Sequence, residues 1–193
     1  MTTANKITIF RILLVPFFVV QFLYYVGTGN EWNRLFALLA FALASVLDGV
    51  DGYIARRYNQ KSELGAVLDP LADKLLLVSG IVLLGFDSGH YFSRIPLWLI
   101  VTIISRDMIV LLGVIVVHFM CGKVAVRARF VGKLATVFQM GTVLWILFQW
   151  TDRALPILIF GAALFTGLSG VLYILDGIRQ LNASPTSAAA RNQ

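Results

Sequence analysis

Six runs of about 20 mostly apolar residues, at 9–26, 34–57, 64–86, 95–119, 133–150 and 154–178, leave a chain of 193 residues little else to fold with. A run of that length crosses the hydrocarbon of a bilayer as a helix and is too long for a strand. The ten-residue alternation of a transmembrane barrel is not seen. The sequence therefore predicts an all-α membrane protein, a six-transmembrane-helix bundle, with one membrane domain over 1–182. The small polar residues of 183–193 read as a disordered tail. Hydrophobic residues make up 59% and charged residues 13%, against roughly 45–50% and 25% in soluble domains, and the mean hydropathy is +0.83. A basic nucleic-acid-binding face has no soluble surface to occupy. The single Cys121 excludes an intramolecular disulfide. The first run, with Lys6 and Arg11 ahead of it or at its start, could pass for a signal peptide. Its length, Pro16 and the lack of an Ala-x-Ala cleavage site favour a retained helix.

Charge gives the expected orientation. Six spans put both termini and the second and fourth loops on one side. That side carries Lys6, Arg11, Arg56, Arg57, Lys61, Lys123, Arg127, Arg129, Lys133, Arg179 and Arg191. The other side carries Arg34, Arg94 and Arg153. The excess predicts cytoplasmic termini in a multi-pass cell inner membrane protein. Lys74 and Arg106 fall inside spans and need partners or water.

Four of the ten acids stand where lipid-facing sequence is expected: Asp48, Asp51, Asp69 and Asp73. Carboxylates are costly at membrane depth and mark function by default. Asp48 and Asp51 are three apart and Asp69 and Asp73 four apart, so each pair shares a helix face. The second and third runs form a hairpin about residue 60, which brings the pairs to matched depth. At 1.5 Å per residue Asp51 lies about 9 Å inside the end at Arg57, near the cytoplasmic headgroups. Such a cluster needs protons or cations. Its all-oxygen donors suit Mg²⁺, Mn²⁺ or Ca²⁺, and two-metal sites commonly clamp phosphoryl groups. Gly52 and Ala55 continue the acidic stripe and Arg56 ends it with a fork suited to phosphate; small residues there would also suit close helix packing. The structural alternative is a set of intramembrane ion pairs with Lys74 and Arg106. A proton or ion pathway would spread its acids over more spans.

The pattern Asp48-x₂-Asp51-Gly52-x₂-Ala55-Arg56-x₈-Gly65-x₃-Asp69-x₃-Asp73 resembles the signature of the CDP-alcohol phosphotransferase family at every fixed position. The resemblance extends over the whole chain and implies six membrane helices with a cytoplasm-facing site. It implies that an acceptor hydroxyl attacks the lipid-side phosphorus of a CDP-linked donor and that CMP leaves. It places one or two Mg²⁺ or Mn²⁺ on Asp48, Asp51, Asp69 and Asp73, with Asp73 also the general base. It places the CDP-diacylglycerol donor at Gly52, Ala55, Arg56, Ser62 and Gly65. Asn5 and Thr8 resemble the family's amino-terminal nucleotide-facing element; as bare residues they read as helix caps. A homodimer is a family-level expectation.

The motif does not choose the acceptor. Arg106, Arg127, Arg129 and Lys133 are expected on the same side as the acids, and such cations suit an acceptor phosphate; Arg127 and Arg129 are equally read as topological charges. Asn5-x-x-Thr8 leading into Arg11, Asp69-Pro-Leu-Ala-Asp73-Lys74-Leu and Gly132-Lys133-Leu134 resemble the branch of the family that uses sn-glycerol 3-phosphate. Ser105-Arg106-Asp107 is similar to the branch that uses phosphatidylglycerol, and an inositol-phosphate acceptor is a third reading. A reading of another class is a non-catalytic membrane transporter or scaffold.

Overall fold

The computed structural model describes residues 3–57, 63–86, 91–121, 130–150 and 153–182, and these form six helices with no strand among them. They are α1 (Thr3–Thr28), α2 (Glu31–Arg57), α3 (Glu63–Phe86), α4 (Leu97–Cys121), α5 (Phe130–Leu147) and α6 (Leu155–Asn182). Each coincides with one of the six apolar runs. Three stretches, Ile7–Thr28, Phe130–Leu147 and Leu155–Arg179, are long and apolar enough to cross a membrane. Pro16 sits inside α1 without ending it, as membrane helices tolerate. The tail at 183–193 lies outside the described residues.

The chain divides into two compact units. The first comprises Met1–Pro96 with Gln139–Leu155. Within it α1 packs along α2 and α3, and Phe18, Phe22, Phe41, Leu76 and Leu84 are buried. Phe18 lies against Phe22 and Phe41, with ring centroids 6.1 and 5.3 Å apart. Gly80 lets α3 approach closely, because a Cβ there would stand 3.0 Å from both Phe41 and Val143.

A polar knot ties the helix ends of this unit that lie far from Asp48 and Asp73. The Gly29 N–H donates to the Tyr25 carbonyl at 2.7 Å and closes α1, with Gly29 at a φ of 68°. Asn30 then caps α2, its Oδ1 accepting from the Trp32 N–H at 3.1 Å. Past α5, Gln149 takes a φ of 53°. Its Nε2 donates to the Tyr25 hydroxyl and the Tyr91 carbonyl, both at 3.0 Å, while Arg34 Nη1 donates to the Leu147 carbonyl at 3.3 Å. Gly29→Ala is expected to cost about 1–2 kcal/mol from the left-handed backbone alone. Its Cβ would also meet the Tyr91 hydroxyl at 2.6 Å. A lowered unfolding temperature in detergent, with turnover per folded molecule unchanged, checks this.

The second unit comprises Leu97–Phe138 and Pro156–Gln193. Phe138 stacks on Phe165 with centroids 5.1 Å apart over Gly161, whose added Cβ would stand 2.5 Å from the Phe138 ring. Leu99, Ile103 and Ala162 are buried. Outward faces of both units are apolar: Leu13, Phe17 and Leu23 on α1, Leu111 and Leu112 on α4, Ile157, Phe160 and Leu164 on α6. Soluble monomers rarely expose apolar area on this scale, and lipid covers it without penalty.

Candidate active site

The first unit brings Asp48 of α2 and Asp73 of α3 to one guanidinium, that of Arg11 on α1. Arg11 Nη1 lies 3.0 Å from Asp48 Oδ1, and Nη2 donates to Asp73 Oδ1. The Arg11 side chain is 2% exposed, whereas those of Asp48 and Asp73 are 31% and 30% exposed. The cation is thus buried behind the acids, and the acids keep an open side. Thr8, one turn before Arg11 on the same face of α1, is also buried.

The arrangement follows from local sequence. α2 and α3 follow one another in the chain, and Asp48, nine residues before the end of α2, and Asp73, ten residues after the start of α3, come together on Arg11. Arg11 reaches both because the planar fork presents two separate Nη groups, one for each carboxylate. Two anions that would repel each other are joined by a cation with neither partner left unpaired, as burial of charge requires.

The sequence counted Arg11 among the charges of the expected cytoplasmic side, within the first apolar run; the structure sets it inside α1 and gives it Asp48 and Asp73 as partners, which the sequence did not assign to it. The cation expected to meet the acids, if any did, was Lys74 or Arg106. Asp48 and Asp73 meet Arg11, and within the second unit Arg106 pairs with its neighbour Asp107 at 2.8 Å. The signal for Arg11 was its position within the first apolar run, three residues after Thr8.

Of the other expected site residues, Asp51, Gly52, Ala55 and Arg56 belong to α2, Gly65 and Asp69 to α3 and Asn5 to α1; their side chains lie outside the described residues. Ser62, Arg127 and Arg129 lie outside them altogether. Among the described residues no group of three or more metal-ligating side chains occurs. Asp48 and Asp73, half of the expected set, supply oxygen donors from two helices at one place, which fits a hard divalent cation.

The second unit holds a polar cluster of its own around Arg106. Arg106 Nη1 donates to Asp107 Oδ1 at 2.8 Å and Nη2 to Ser169 Oγ at 2.6 Å. The guanidinium carbon stands 5.3 Å from the centroid of the Tyr173 ring. Gly132 at the start of α5 and Gly170 on α6 flank it: added Cβ atoms would come within 3.3 Å of Arg106 Nη2 and Cγ respectively. Lys133, beside Gly132, is exposed. The sequence singled out Arg106 and Lys133 but gave no sign of Ser169 or Tyr173, which stand in an otherwise apolar run.

In the first unit a buried arginine and two half-buried motif acids, converging from three helices, define a polar site of the kind the signature implies. The family model for CDP-alcohol phosphatidyltransferase matches residues 1–172, and the chain belongs to that family. Over 171 residues it is 34% identical to the CDP-diacylglycerol–glycerol-3-phosphate 3-phosphatidyltransferase of Escherichia coli, covering 87% of this chain and 90% of that protein. Proteins of the same name from Shigella sonnei and Salmonella typhimurium are 34% and 33% identical over the same share of each chain.

Proposed function

We propose that the protein is a CDP-diacylglycerol–glycerol-3-phosphate 3-phosphatidyltransferase, which moves the phosphatidyl group of CDP-diacylglycerol onto sn-glycerol 3-phosphate and releases CMP, making phosphatidylglycerophosphate for phospholipid synthesis. The observation that carries the reading is the meeting of Asp48 and Asp73 on Arg11 in a chain of this family. It sits in a six-span bundle of the inner membrane, possessing cytoplasmic termini and a site that faces the cytoplasm. The protein assembles as a homodimer.

In the reaction the acceptor hydroxyl oxygen forms a bond to the donor's lipid-side phosphorus, and the bond from that phosphorus to the CMP oxygen breaks. Asp73 takes the hydroxyl proton; its open side allows the approach that a general base needs. Arg11 holds Asp73 and Asp48 in register while Asp48, Asp51 and Asp69 complete the metal-binding set. Asp48, Asp51, Asp69 and Asp73 would hold Mg²⁺ or Mn²⁺, which would supply neutralisation of charge on the diphosphate and the CMP leaving group. Gly52, Ala55, Arg56, Ser62 and Gly65 are assigned to the CDP-diacylglycerol donor, with Asn5 and Thr8 assigned to its nucleotide. Arg106, Lys133, Arg127 and Arg129 are assigned to the acceptor phosphate. Asp107, which follows Arg106, favours phosphatidylglycerol as the second reading of the acceptor.

Purified protein is incubated with CDP-diacylglycerol, Mg²⁺ or Mn²⁺, and labelled sn-glycerol 3-phosphate or phosphatidylglycerol. Metal-dependent CMP release with label in phosphatidylglycerophosphate is expected. Product from phosphatidylglycerol alone replaces the acceptor assignment; a folded protein that releases no CMP with any acceptor ends the enzyme reading.

A further inference from the structure

The cluster around Arg106 has more architecture than one ion pair needs. Three helices of the second unit contribute to it. Arg106 comes from α4, Gly132 from α5, and Ser169, Gly170 and Tyr173 from α6. Ser169 is fully buried, and the Arg106 side chain is 15% exposed. The Ser169 hydroxyl fixes one end of the guanidinium, and the guanidinium carbon stands over the Tyr173 ring, 5.3 Å from its centroid. The two glycines remove the atoms that would crowd it. A Cβ on Gly132 would stand 3.3 Å from Arg106 Nη2, 3.4 Å from Ser169 Oγ and 3.7 Å from the Tyr173 hydroxyl. The closest of these is tight, so an added methyl requires Arg106 Nη2 to give way by a few tenths of an ångström, whereas the Tyr173 hydroxyl would be in ordinary contact.

A guanidinium carries five N–H donors. Two are spent on Asp107 and Ser169, and Nε is buried with no hydrogen-bond partner among the described residues. A topological charge needs neither a fixed plane nor spare donors. A group that binds a tetrahedral oxyanion needs both, since bidentate recognition depends on the orientation of the fork. Pre-setting that orientation removes the cost of ordering a long side chain when ligand binds.

We infer that Ser169 and Tyr173 are positioning residues that hold Arg106, in the clearance left by Gly132, for a phosphate monoester, and so set the enzyme's affinity for a phosphorylated acceptor. This rests on the proposed acceptor and extends it to residues on α6. Ser169 and Tyr173 touch the arginine and act through it.

The test is steady-state kinetics of the full chain in detergent. One series varies sn-glycerol 3-phosphate at saturating CDP-diacylglycerol, and the other varies the donor. Unfolding temperatures are measured alongside. Ser169→Ala and Tyr173→Leu are expected to raise the acceptor KM about tenfold and leave the donor KM within about twofold. Tyr173→Phe, which keeps the ring face, recovers most of the loss. Gly132→Ala shifts the acceptor KM in the same direction. If Tyr173→Leu does not fold, Ser169→Ala and Gly132→Ala decide the matter. Acceptor KM unchanged in folded variants, or donor and acceptor KM rising together, overturns the inference while the wild type still uses sn-glycerol 3-phosphate. Wild type that uses phosphatidylglycerol and not sn-glycerol 3-phosphate overturns the acceptor assignment, and this inference with it, before any variant is compared.

Discussion

Arg11→Met lowers CMP release by about a hundredfold, equivalent to roughly 2.7 kcal/mol of transition-state stabilisation. Methionine fills much of the volume but removes the fork that joins α1 to Asp48 on α2 and Asp73 on α3. Two carboxylates then face each other without their shared cation, and their separation is set by repulsion. Small misplacement of reacting groups is enough for losses of this size. Stability also falls, by about 1–3 kcal/mol; this is less than the ~3–5 for a fully buried pair, because both acids keep partial contact with solvent. Arg11→Lys separates geometry from charge. One ammonium cannot occupy both Nη positions, so it recovers only part of the rate, to about a tenth of wild type. Turnover per folded molecule and unfolding temperature are measured together for both variants. Were Arg11 only an orientation signal, lysine would match arginine in both.

The helices were legible because membrane spans need long apolar runs, and each of the six coincides with a helix. Their ends were less so. α2 begins at Glu31, three residues before its apolar run, because Asn30 offers a side-chain cap to the Trp32 N–H. α5 stops at Leu147, short of the run's end at Trp150, where Gln149 turns into the left-handed region. Hairpin arithmetic correctly placed Asp48 beside Asp73, since spacing about a turn is a sequence property. Arg11 was harder to assign. Counting charges by loop treats an arginine near a span's start as topology, and only packing of α1 on α2 and α3 reveals its partners. Ser169 and Tyr173 show the same limit. A serine and a tyrosine in an apolar helix carry no signature until Arg106 from another helix is laid against them.

Asp73→Asn reduces CMP release by about three orders of magnitude or more, within the range that loss of a general base gives. Asparagine is close to isosteric and keeps a carbonyl oxygen that can accept from Arg11, so the junction of α1 with α3 survives and the unfolding temperature moves by only a few degrees. On the proposed mechanism, the substitution removes the anionic oxygen assigned to take the acceptor's proton and to contribute to the metal site. Equilibrium binding of CDP-diacylglycerol therefore remains measurable, because the donor contacts assigned to Arg56 and its neighbours are untouched. The alternative role for Asp73 is half of an ion pair that only holds helices together. On that view the asparagine variant would lose yield or melting temperature, and each folded molecule would turn over at more than about a tenth of the wild-type rate. The two roles predict opposite patterns in the same three measurements. The half-exposed setting of Asp73 against the fully enclosed Arg11 favours the first, since a group that only bridges helices has no need of an open side.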